Sequence, residues 1–227
     1  MSFKEFFVLQ ERKYIANNMK KFFDMIQDLK NQIQADDDFG NKSKYYLDFD
    51  ENNSLSVGFV NKLPKGWSQN ANAVYDPDES LILVSLDNLL QGQYIRNKFE
   101  YIKKAFPSDL ESIIAHELYH AWEDMIKSEE VGKPSLNSIN YTSEEEGIDK
   151  YLNSESELKS NLVEIIYLIM RTNKLARLYL RRGEVNKATE LTVELLNKYD
   201  YIKLLSDKNK KRLYSLIYTT LWEVVHK

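Results

Sequence analysis

The chain has no cysteine in 227 residues. That excludes disulfides and thiolate metal sites and leaves the redox compartment open. It also lacks an excess of positive charge: the net charge is −4 and the pI near 5.6. A general nucleic-acid binder or a polybasic membrane anchor is normally basic, so both classes are set aside. Long apolar runs are missing too. "FFVL" (Phe6 to Leu9) is too short for the apolar region of a signal peptide, and "IIYLIM" (Ile165 to Met170) is far too short to span a bilayer. The expectation is a cytoplasmic protein with no signal peptide or transmembrane segment; a component of a virus particle would read the same way. No internal repeat is visible, and one helix-like match to a tetratricopeptide repeat near Gly183 and Ala188 carries no weight alone.

What is present suffices for a folded core. Hydrophobic residues make up 43% and charged residues 29% of the chain, a normal globular balance. Residues 3–33 read as a long amphipathic helix, with Phe7, Ile15, Met19, Phe22, Phe23, Ile26, Leu29 and Ile33 near helical spacing. "ADDDFGNKSK" breaks it. "KYYLDFD", "SLSVGFV" and "SLILVSL" then read as strands of a small sheet of three or four, with "LPKGW" and "YDPDES" as turns between them. From Tyr94 the pattern is helical. "FPSDLESII" predicts a helix over 108–128, with Ser108 and Glu111 as a capping box. "NSESELKSNLVEIIYLIMRTNKLARLYLRR" predicts one long helix to Gly183, again with a Ser-x-x-Glu start at Ser154 and Glu157. Two further helices are expected at 185–199 and 207–225. The fold class is therefore α+β, a small mainly antiparallel sheet followed by a mostly helical C-terminal half. The domain reading is a single domain over 1–227: an N-terminal helix (1–35), a core (44–182) and a helical extension (183–227).

The chain has only three histidines, and two of them flank a glutamate in "SIIAHELYHAWED". His116 and His120 are i and i+4 on a helix, on one face and about 6 Å apart along its axis. Two imidazoles so placed can converge on one Zn²⁺. Glu117 lies about 100° round the helix from His116, where its carboxylate can reach a water on the metal without ligating the ion. The metal lowers the pKa of that water and the glutamate takes its proton. A pair of surface histidines beside an unrelated glutamate is the plainer alternative. Ile114, Leu118, Ala121 and Met125 form the opposite, apolar face.

"HELYH", in a long helix after a strand, resembles the zincin metallopeptidases, over about 80 residues from Leu81 to Glu164. The resemblance implies a mixed sheet whose edge strand binds peptide in extended form, and a third zinc ligand on a later helix. In the gluzincin branch that ligand is a glutamate, the second of a Glu-x-Glu start, here Glu157 of "ESEL". Asn161 then falls where a residue can orient a ligating histidine; relatives often carry aspartate there, so the asparagine is a departure. The chain offers other candidate ligands. Glu155 lies on the apolar side of its helix, and an acid on a buried side needs a partner. Glu164 is on the same helix, and Glu157 can equally be the back-bonding member of a helix cap. Asp124 lies about 12 Å along the axis from His116, too far to share one ion on a straight helix. His226 stands near the end of the chain. Tyr141 and Tyr151 are candidates for stabilising an oxyanion.

The expected function is that of a zinc metalloendopeptidase. Zn²⁺ is held by His116, His120 and Glu157, Glu117 is the general base and acid, and "LILVSL" pairs with the substrate backbone. The expected partners are a peptide or protein substrate, with no nucleic acid and no membrane. The alternative is a non-catalytic structural or assembly component, a homo-oligomer or part of a larger protein assembly, built on a metallopeptidase fold. Phe3, Phe6 and Trp222 are candidate contact residues for it.

Overall fold

The computed structural model describes residues 3–41, 44–49, 51, 53–129, 154–197 and 200–226, without the side chains of 3–17, 126–129, 155, 200, 201 and 224. The chain divides into two compact units, Phe22–Ser138 and a second made of Met1–Lys21 with Ile139–Lys227.

The first unit is α+β. Helix α1 (Phe3–Ala35) supplies it with residues from Phe22 on. Phe22, Met25, Ile26, Leu29 and Ile33 are buried at the expected helical spacing. Strands β1 (Tyr45–Asp48), β2 (Ser54–Val60), β3 (Ala73–Asp76) and β4 (Leu81–Ser85) form one sheet in the order β1-β2-β4-β3. β1 is antiparallel to β2 and β3 to β4, but β2 and β4 are parallel. The sheet is therefore mixed, with antiparallel strands at both edges. The parallel pair exists because the chain leaving β2 crosses to the far edge, forms β3, and turns back; parallel neighbours need such a crossover.

β3 is the strand that the sequence reading missed, since only the turn "YDPDES" was legible there. That turn is real: the Asp76 carboxylate accepts from the backbone N–H of Asp78 (3.0 Å) and Glu79 (3.4 Å). The four residues of β3, two of them inside that stretch, are too few and too mixed to announce a strand. Tyr45, Leu47, Leu55, Val57, Ile82 and Val84 are almost fully buried, each contributing about 1.5–3 kcal/mol.

Short helix α2 (Leu86–Leu89) follows β4, capped by Ser85, then α3 (Lys98–Ala105), capped by Asn97. Helix α4 (Ser108–Glu129) packs on β3 and β4. Its start departs from the expected capping box. Ser108 is already the first helical residue, and the Glu111 N–H is bonded to the Pro107 carbonyl at 3.1 Å. The Glu111 carboxylate, 3% exposed as a residue, meets Lys30 of α1 at 3.5 Å.

The second unit is helical where described: α5 (Glu155–Thr172), α6 (Lys174–Arg181), α7 (Val185–Leu196), α8 (Asp200–Leu204) and α9 (Asp207–Val225). The single helix expected up to Gly183 is two. Asn173 is extended (φ −89°, ψ 93°) and its side chain accepts from Ala176 N–H, so it ends α5 and caps α6. Gly183, at φ 73°, closes α6 as expected. α9 matches its expected span, whereas α7 stops at Leu196 and α8 was not foreseen. Among the described residues, no helix is long and apolar enough to cross a membrane.

Candidate metal centre

α4 carries the histidine pair in the first unit. Ile114, Leu118 and Ala121 are fully buried and Met125 is half-buried, so the apolar face lies against the core as the spacing implied. His116 and His120 are half-buried on another face. Their rings converge: the centroids are 5.0 Å apart with planes at 65°, and the two Nε2 atoms are separated by 3.2 Å. Two nitrogens held by one zinc ion at tetrahedral angles and ordinary bond lengths stand about 3.3–3.4 Å apart. The pair thus has the spacing of two ligands of one ion. The same spacing serves an N–H···N bond between the rings when one Nε2 carries a proton, so metal analysis distinguishes the two. Glu117, between them in sequence, is 8% exposed.

Asp124, one turn beyond His120, is engaged elsewhere. The Tyr75 hydroxyl of β3 donates to its carboxylate at 3.3 Å. Burial, and then the Asp124 charge, push the Tyr75 phenol well above its ordinary range. Tyr75 ties α4 to the sheet edge, and no sequence signal marked it, because its strand was read as a turn.

β4, which was expected to receive a substrate strand, cannot. It lies between β2 and β3, so its backbone groups are already paired. β3 is the edge strand on the α4 side of the sheet.

In the second unit, Ser154 caps α5, accepting from the Glu157 N–H at 3.2 Å. Glu157 is 4% exposed. Asn161, one turn later, is 5% exposed, and its side-chain nitrogen has no acceptor among the described residues. Glu164 is half-buried. The backbone of Glu155 begins α5; its side chain lies outside the described residues, as do Tyr141, Tyr151 and the side chains of Phe3 and Phe6. His226 stacks on Trp222, with centroids 4.3 Å apart and planes at 17°. Trp222 is 44% exposed.

No family model matches the chain. No curated protein and no solved structure matches it either. The likeness to zincins therefore rests on the residues of "HELYH" and their geometry alone.

Proposed function

We propose that the chain is a zinc-dependent peptidase whose metal is held by His116, His120 and Glu157. The observation that carries the reading is the 3.2 Å separation of the two histidine Nε2 atoms. Two nitrogens and a carboxylate form a common donor set for catalytic zinc. A bound zinc ion would lower the pKa of a water and polarise a substrate carbonyl.

The remaining chemistry belongs to the chain. Glu117 accepts the proton of the attacking water and passes it to the leaving amine. Its burial keeps the carboxylate in a medium where such charge interactions are strong. Asn161 holds a ligating side chain in orientation through its amide, a role supported by its burial and its unspent side-chain nitrogen. An extended peptide adds to β3, an edge strand of the sheet, rather than to β4, with backbone hydrogen bonds giving affinity.

The test is metal content followed by cleavage of a mixed peptide library read by mass spectrometry. Wild type should hold one zinc per chain and cleave. Glu117→Gln should keep the zinc and lower kcat by about 10²–10⁴-fold. Unchanged cleavage in Glu117→Gln would overturn the mechanism. Stoichiometric zinc with no cleavage of any peptide would favour the assembly-component reading.

A further inference from the structure

A cavity of about 560 Å³ opens in the second unit, away from the histidine pair in sequence and lying wholly among α5, the start of α6, and α7. Its volume falls within the roughly 300–1,000 Å³ of small-molecule sites. Ile165, Leu168 and Ile169 of the last turns of α5 face it, with Leu195 and Leu196 of α7. Leu168 and Leu195 are only half-buried, so apolar surface remains to be covered.

The polar groups in the lining have mostly been spent. The Thr172 hydroxyl donates to the Leu168 carbonyl and the Thr192 hydroxyl to the Ala188 carbonyl, both at 2.7 Å. The Asn173 side-chain oxygen accepts from Ala176 N–H at 2.9 Å. Among the described lining residues, the groups that can still donate to a ligand are the Asn173 amide nitrogen and the exposed Lys174 ammonium. The chain segment on either side of Lys174 carries charge of one sign. Arg171, Lys174, Arg177, Arg181 and Arg182 lie between Glu164 and Glu184 with no acidic residue among them. The acids of α7 nearest in sequence to the lining, Glu190 and Glu194, are on its exposed face.

We propose that this cavity binds a straight-chain fatty-acid anion, its acyl chain against the leucines and isoleucines and its carboxylate at Lys174 and Asn173. An apolar body with one anionic end matches a half-open apolar pocket whose lining includes the Lys174 ammonium and the Asn173 amide. The site is independent of the proposed peptidase chemistry, and its test reads binding alone.

The experiment is calorimetric titration of the full chain with hexanoate, octanoate and decanoate below their micelle concentrations, and with decyltrimethylammonium as the cation of matched tail. Decanoate should saturate at one per chain, with affinity rising about fourfold per added methylene. The cationic amphiphile should not bind. Leu168→Trp, which fills the chamber, should weaken decanoate at least about tenfold, and Lys174→Glu at least about fivefold. Circular dichroism matched to wild type certifies the fold of each variant, and Lys174→Gln gives a milder second test of the charge. Three outcomes would overturn the proposal: no saturable decanoate binding, equal affinity for the cationic amphiphile, or wild-type affinity in Leu168→Trp. Association with phosphatidylglycerol vesicles without decanoate binding would do so as well.

Discussion

Helices α4 and α5 begin with the same Ser-x-x-Glu signature and use it differently. In α5 the signature works as a cap, with the Ser154 side chain accepting from Glu157 N–H. In α4 the serine is already inside the helix, and Glu111 turns to Lys30 of α1. Both glutamates are buried, at 3% and 4% exposure. A buried carboxylate must be compensated. In α4 a lysine contributes to that; in α5 the proposed compensation is a metal ion. The local pattern thus marks where a helix starts, while the tertiary partner decides what the glutamate does.

The largest effect that can break this contrast is on metal binding. Glu157→Ala should weaken zinc binding by more than about 100-fold, beyond what removing an outer hydrogen-bond partner costs. Glu111→Ala should leave zinc binding unchanged. Competition against a fluorescent chelator reads both, and equal losses would erase the distinction between the two acids. The next effect is on stability. Glu111→Ala should cost about 1–3 kcal/mol in urea unfolding, because it strips a buried carboxylate from its network and leaves Lys30 without that partner. Lys30→Met should cost a similar amount if the pair is the cause.

Much of this arrangement was legible beforehand, and what was not has a physical reason. The amphipathic run of α1, the apolar positions of β2, the continuous apolar run of β4 and the histidine spacing in α4 are signals written by burial. β3 escaped because four residues beside a proline turn are too few to show a period. The break at Asn173 escaped because an asparagine cap inside a continuous apolar pattern reads as a tolerated helical residue until its backbone is seen. The mistaken role for β4 came from the composition of "LILVSL". A continuous apolar run marks a strand covered on both sides, and such a strand is central rather than at an edge. The histidines were identified by motif, whereas Tyr75, which meets the same helix through Asp124, had no motif to announce it.

Smaller effects sharpen the comparison at the helix starts themselves. Ser154→Ala should cost about 1 kcal/mol, the usual value of a lost cap. Ser108→Ala should stay within about 0.5 kcal/mol, since the residue is helical and the Glu111 N–H is satisfied by the Pro107 carbonyl. Equal costs would mean that both serines cap. A further effect, confined mainly to alkaline pH, concerns the other end of α4. The Tyr75 phenol is raised chiefly by burial, so the folded state keeps a proton that the unfolded chain releases above about pH 10. That contribution is complete below pH 10 and declines as pH rises beyond it. Tyr75→Phe should therefore flatten the alkaline limb of a stability–pH curve while changing little at neutral pH beyond the lost hydrogen bond, about 1 kcal/mol.

The most direct measurement is zinc stoichiometry by elemental analysis after loading and gel filtration, on wild type, His120→Ala and Glu157→Ala. One zinc per wild-type chain, lost in both variants, is the expected result. A wild type that retains none, or a His120→Ala chain that retains a full equivalent, would contradict the claim that these imidazoles share an ion. The 3.2 Å approach of their nitrogens would then be a hydrogen bond between two rings.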